Sequence, residues 1–331
     1  MHLYGNLTLR DLAIGKTLDK GKTMEREKDE EIKGTVDVET DPNYVRPDVI
    51  NRDDVIKAVP ALAKHPKLVD WALRFIAMDK VNFVHGKFSN RLGVDFARAL
   101  AEDEYKWNLT IDNYDVLDQF KTGPFITVSN HPIGSYDGII LLYLVGRIRP
   151  DYKVMVNLIL NNLGAMKPGF IAVDPQKSDD PEKRKITMHG MREALMHVKK
   201  GHPLGFFPAG AISNVDWKLD ISDRPWQEVI IRLIRQLQVP VIPIYFHCKN
   251  STFCNILGKI DWRLRTMRLP RELFASYNKD IRVSFGEPIS VETQNKFETL
   301  QELGAFLREK TYELKKYGRY STSEATLLNH R

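Results

Sequence analysis

The pairing best suited to chemistry in this chain is His131 and Asp137, inside Phe125–Asp137, FITVSNHPIGSYD. An imidazole has the ordinary side-chain pKa nearest neutrality, so it can take a proton from a hydroxyl or a water as a bond forms. A carboxylate on the other ring nitrogen would fix the tautomer and stabilise the imidazolium. The two together make a general-base dyad that needs no Ser or Cys nucleophile. Spacing alone is a weak signal, because a helix-capping Asp beside an incidental loop His reads the same way.

The surrounding elements strengthen it. An apolar strand, Phe125–Ser129, runs into the turn through Gly134, and Asp137 stands at the N-cap position of the apolar run Ile139–Val145. Loops leaving the C-terminal ends of strands are where open α/β sheets build their sites. A second such turn follows the strand in Leu204–Ser213, LGFFPAGAIS, whose Pro-Ala-Gly bend can present backbone N–H groups to an oxyanion or phosphate. Val239–Phe246, VPVIPIYF, is a buried strand whose two prolines mark an edge, a bulge or a site boundary. Further strands are expected at Tyr152–Asn157, Gly169–Asp174 and Ile281–Phe285, with helices at Ile186–Lys200 and Trp226–Gln238. Apolar strands separated by amphipathic helices predict an α/β fold, a mostly parallel central sheet flanked by helices.

Three regions are expected along the chain. Residues 1–50 read as a polar, poorly packed leader. Residues 51–122 read as a helical lead-in, where Val69, Ala72, Leu73 and Ile76 recur at helical spacing and Ser89 can cap a helix carrying Leu92, Phe96 and Leu100. Trp71, Phe75, Ile76 and Met78 are expected to pack on the core, with membrane or acyl-chain contact as the alternative. Residues 123–331 form the α/β domain, ending in one amphipathic helix at about Val291–Tyr317.

Composition sets the outer limits. With 331 residues, 43% apolar and 28% charged, the chain can bury a substantial core and is not membrane-embedded. Its net charge of +6 suits an anionic partner. Cys248 and Cys254 support neither a disulfide framework nor a zinc site. The opening MHLYGNLTLRDLAIGK lacks the apolar core of a signal peptide, and Gly138–Gly146 is too short to span a bilayer. A reducing cytoplasm and lateral contact with a membrane are the expectations.

In this order, the segments resemble the glycerolipid acyltransferase superfamily. Asn130, His131 and Asp137 match its Asn-His…Asp block; Gly169–Asp174 (GFIAVD) resembles its second block, Phe207–Ala211 (FPAGA) its third, and Val239–Pro243 its fourth, with Gly286-Glu287-Pro288-Ile289 closing the region. The resemblance implies transfer of a fatty acyl group from acyl-carrier protein or a coenzyme A thioester to a lysolipid hydroxyl, with no metal or bound cofactor. It implies His131 as base, Asp137 as its partner, and backbone donors near Gly210 for the oxyanion. Asn130, Gly134, Ser135, Phe207, Pro208, Gly210 and Ser213 are then expected to contact substrate. Three departures stand out. Five residues separate His131 from Asp137 where the family commonly has four, a bulge that Gly134 could absorb. Ala209 replaces a family Glu, and Pro175 stands where an Arg often meets the acceptor phosphate. The variants resemble a bacterial branch that acylates lyso-aminolipids such as lyso-ornithine or lyso-glycine lipids, beside lysophosphatidic acid or glycerol phosphate as acceptor. Lys183, Arg184 and Lys185 are candidate contacts for an anionic group, though a solvated loop is the commoner fate of such a run.

Two other classes compete. A hydrolase would use the same base on water, but no Gly-x-Ser-x-Gly elbow occurs. A non-catalytic lipid-binding module would bind without transfer. Nucleic acid is not an expected partner, because aromatics do not interleave with Arg263, Arg265, Arg268 and Arg271 in a recognition pattern. That basic cluster, around Trp262 and Leu264, points instead to the inner face of the cytoplasmic membrane or to a carrier protein.

Overall fold

The computed structural model describes residues 45–174, 181–215, 221–319 and 326–328. Most of the expected leader, residues 1–44, lies outside them; Val45–Arg331 forms one compact unit. It opens with helices α1 (Arg52–Ala58), α2 (Pro66–Phe75), α3 (Met78–Phe88) and α4 (Val94–Arg98). Then come β1 (Asn108–Asp112), β2 (Ile126–Ser129), α5 (Asp137–Gly146), β3 (Lys153–Asn157), β4 (Phe170–Val173), α6 (Pro181–Lys199) and β5 (Leu204–Phe206). A small ribbon, β6 (Asn214–Val215) and β7 (Ile221–Ser222), precedes α7 (Glu228–Leu237) and β8 (Val241–Phe246). The chain continues through α8 (Thr252–Ile260), α9 (Trp262–Phe274), β9 (Asp280–Phe285), α10 (Val291–Gln294), α11 (Leu300–Glu313) and β10 (Thr326–Leu328).

Eight strands form one sheet in the order β10-β1-β9-β8-β2-β5-β3-β4. Only the β1–β10 and β8–β9 pairings are antiparallel, so the sheet is mostly parallel, as the apolar strand pattern predicts. Strand alternation feeds two cores. Val154 and Val156 join α4 and α5 on one face, while Met155 between them joins α6, α7 and α11 on the other. Helix α5 is apolar all round because it is buried all round. Strands β2, β5 and β8 run parallel, so their C-terminal ends open on one side of the sheet.

Several expectations need correcting. Sheet structure starts at β1, inside the stretch read as helical lead-in, where Trp107 is fully buried and donates its indole N–H to Ser276 Oγ at 2.9 Å. Ser89 ends α3 instead of starting a helix, its hydroxyl donating to the Gly86 carbonyl. The expected C-terminal helix is two, because Ser290 caps α10 and Thr299 forms a reciprocal capping box with Glu302 at the start of α11. Pro243 sits in an interior strand, not at an edge. It is tolerated there because β9 has already ended beside it: Gly286 N–H donates to the Pro243 carbonyl, and no ladder demands the missing proline donor. Trp71 and Phe75 are exposed at 60% and 56%, so they do not pack on the core.

Candidate active site

Two turns, each leaving the C-terminal end of a parallel strand, meet face to face. The first begins where β2 ends. Asn130 continues the sheet with its side chain: the amide donates to the Phe246 carbonyl at 3.0 Å and accepts from the Phe246 N–H at 2.7 Å. His131 follows. After five intervening residues the chain reaches Asp137, the first residue of α5, whose Oδ2 lies 2.9 Å from His131 Nδ1, met obliquely to the ring N–H. The same carboxylate shapes the turn, since Oδ2 accepts from the N–H groups of Ile133 and Gly134 at 3.1 Å and Oδ1 from Gly138 at 3.0 Å. Within the bend, Gly134 has φ +82°, and a Cβ there would lie 2.3 Å from Ile212 Cδ1. Both the conformation and the space exclude any larger residue.

The second turn follows β5. Phe207 lays its ring on His131, centroids 4.2 Å apart. Gly210 has φ +62° and gives its N–H to the Phe207 carbonyl at 2.9 Å, which closes the bend. That donor is therefore committed to the turn. Ser213 N–H donates to the His131 carbonyl at 2.8 Å. Buried Asp223 accepts from Ser213 Oγ at 2.5 Å and from the His131 N–H at 3.2 Å, while Trp226 Nε1 donates to its other oxygen at 3.2 Å. His131 is thus fixed at both its N–H and its carbonyl.

Two further side chains brace the turns, one from just ahead of α8 and one from α9. Asn250 donates to the carbonyls of Ile133 at 2.9 Å and Pro132 at 3.3 Å. Arg265 is only 4% exposed and donates to the carbonyls of Ser213 at 3.0 Å and Ile212 at 3.2 Å. The Ile212–Ser213 peptide therefore takes a guanidinium on its carbonyl and the His131 carbonyl on its N–H.

Electrostatics follow from this enclosure. Burial pushes the His131 imidazole down, but the Asp137 carboxylate, as charge and hydrogen-bond acceptor, with Asp223 behind it, outweighs burial and the opposing Arg265 charge. The net direction is up. Burial would raise the Asp137 carboxyl; His131 and the N–H groups of Gly134 and Ile133 hold it below its ordinary value. The side chain of Asp137 is 1% exposed and that of His131 20%, so the imidazole is the member of the pair that meets solvent. Such a pair can accept a proton from a hydroxyl brought to the exposed ring edge.

Of the residues singled out by sequence, His131, Gly134, Ser135, Asp137, Phe207, Pro208, Gly210 and Ser213 all lie in these two turns. Ser135 Oγ is buried with no partner among the described residues. The Asn130 amide exchanges two hydrogen bonds with the Phe246 backbone, and Ser213 Oγ donates to Asp223. Arg184 and Lys185 sit exposed at the start of α6, with no recorded contact to either turn. The side chain of Lys183 lies outside the described residues. Arg265 is no part of a surface cluster, because it turns inward. Asp223 and Asn250 escaped the sequence reading, which took Arg265 for a surface cation; each lies in a segment whose local pattern says only turn or helix, and only a contact across the fold gives it meaning.

Comparison with known proteins decides the family. Residues 54–319 match the acyltransferase family model. The chain belongs to this family. Among characterised relatives, this acyltransferase is 27% identical over 255 residues to a lyso-glycine lipid O-acyltransferase of Bacteroides thetaiotaomicron, covering 75% of this chain and 89% of that one. It is 26% identical to a protein of the same name from Phocaeicola vulgatus, over 75% of this chain and 87% of that one. Among solved structures, a 1-acyl-sn-glycerophosphate acyltransferase, PlsC, from Thermotoga maritima aligns over 68% of this acyltransferase and 78% of its own chain, at 15% identity and a TM-score of 0.45.

Proposed function

We propose that this acyltransferase moves a fatty acyl group from a thioester carrier, acyl-carrier protein or coenzyme A, to the hydroxyl of a lyso-aminolipid. His131 takes the hydroxyl proton, and the alkoxide oxygen attacks the thioester carbonyl carbon. The C–S bond then breaks, and the leaving thiolate recovers the proton from the imidazolium. Asp137 holds the ring and stabilises its charge. Since the Gly210 N–H closes its own turn, we assign oxyanion stabilisation to the N–H groups of Ala211 and Ile212.

The observation that carries this reading is the His131–Asp137 contact at 2.9 Å across a five-residue bend, carboxylate buried and imidazole partly open. The acceptor class is supported by the names of the two relatives, both lyso-glycine lipid O-acyltransferases, and by the departures at Ala209 and Pro175. The test is mass spectrometry of lipids formed from a mixed pool of lysolipids, supplied with each donor in turn. A diacylated aminolipid is expected, and His131→Ala should lower its formation by about 10²-fold or more while the fold persists. Free fatty acid at equal rates with and without lysolipid would make the protein a hydrolase instead.

A further inference from the structure

The basic and apolar cluster of α8 and α9 is not absorbed by the site chemistry. Six of the sixteen exposed large apolar side chains among the described residues fall here: Phe253, Ile256 and Ile260 on α8, and Trp262, Leu264 and Met267 on α9. Positions 253, 256 and 260, and positions 264, 267 and 271, each follow the one-face spacing of a helix. A third helix joins them. Arg271 donates through Nε, at 2.9 Å, and Nη2, at 2.6 Å, to the Phe75 carbonyl at the end of α2, and its guanidinium lies 5.6 Å over the Phe75 ring. Phe75 in turn stacks on exposed Trp71, 5.3 Å away. Arg268 sits 5.3 Å over Phe253 and Arg263 5.4 Å over Trp262.

Exposed rings and aliphatic groups interleaved with arginines describe an interfacial surface, with apolar groups for the acyl boundary and cations for the headgroups. Ile260, 70% exposed at the α8–α9 corner, extends this run of exposed apolar side chains, and it is their clustering that marks an interaction surface. We propose that the α2–α8–α9 face docks on the surface of an anionic lipid bilayer. Charge complementarity favours that partner. On segment 251–276 the surface carries Lys259, Arg263, Arg268 and Arg271 against Asp261, since Arg265 turns inward and Glu272 is buried against Ser251 and Arg268. Apolar side chains spread over three helices need hydrocarbon, which an acidic carrier protein does not offer over such a breadth.

The opposite side of the same hairpin explains why this face matters. Asn250, just ahead of α8, holds the His131 turn, and Arg265 on α9 holds the Phe207 turn. Leu269 lies 3.5 Å from where a Gly134 Cβ would be. Docking through α8 and α9 would set both turns directly behind the docked hairpin, close to the bilayer where a lysolipid resides. Binding follows from the surface alone; its use in catalysis rests on the acyl-transfer reading.

The test is flotation of the full chain with vesicles of phosphatidylcholine alone and of phosphatidylcholine mixed with phosphatidylglycerol. Binding to the mixed vesicles is expected, weakened by salt. The paired variant Ile260→Ser/Trp262→Ser should bind about tenfold or more weakly, and Arg263→Gln about fivefold more weakly. Both should keep full transfer to a short-chain acceptor soluble in water. Equal flotation of wild type and paired variant would overturn the proposal. So would intact vesicle binding with activity lost only when acyl-carrier protein is the donor, which would assign the face to that protein. Vesicle binding without transfer to any acceptor would instead remove the acyl-transfer reading and leave the docking face standing.

Discussion

At the scale of single residues, the proposed acyl transfer makes the protonation of His131 the condition for turnover. A general base acts in its neutral form, and Asp137 and Asp223 together hold this imidazole above its ordinary value, near 6.5, against burial and the Arg265 charge. The rate kcat/KM should therefore be low in acid and rise with pH, with its midpoint above that value. Asp137→Asn removes the larger attraction and leaves burial in place, so the midpoint should move down while kcat falls. A pH profile of the variant superimposable on wild type would separate Asp137 from the chemistry. Asp223→Asn should move the midpoint in the same direction, because Asp223 also faces the imidazole.

At the scale of elements, the two turns work as a matched pair. Gly134 is where they are closest, and its positive φ is a separate requirement from its lack of a side chain. Gly134→Ala should cost about 2 kcal/mol in denaturant unfolding, with a larger fractional loss of kcat as the His131 bend opens. Adding Ile212→Ala relieves the clash but not the dihedral strain, so stability should recover only in part. Complete recovery would mean that sterics alone fix the residue. That Gly134 turns the bend was legible in the sequence. That it does so against Ile212 was not, because the contact joins turns about eighty positions apart.

At the scale of the whole molecule, the N-terminal part is tied to the sheet by Trp107. Its ring is fully buried, stacked on Tyr105 and 5.4 Å from Tyr136, the residue before Asp137. Trp107→Ala should destabilise the protein by about 3–5 kcal/mol, read as a lower unfolding midpoint. Trp107→Phe should cost less, losing chiefly the bond to Ser276. A midpoint unchanged by the Ala variant would show that the β1 region folds apart from the rest. The sheet itself follows from apolar strand runs and the helical stripe of α7. Strands β1 and β10 were missed because short runs carry too little periodicity to announce a strand without the neighbour that pairs with it.

The residue types alone determined the closeness of His131 and Asp137, the two turns that flank them and the α/β sheet that presents those turns. Periodicity and turn chemistry are local properties, and each is written within a dozen residues. Only tertiary contacts decided that Asn130 bonds Phe246 and Ser213 bonds Asp223, that Asp223 and Arg265 act on His131 with opposite signs, and that one hairpin both clamps the turns and shows an apolar face outward. Those outcomes depend on which distant side chains share a low-dielectric space, and sequence spacing carries no record of that distance.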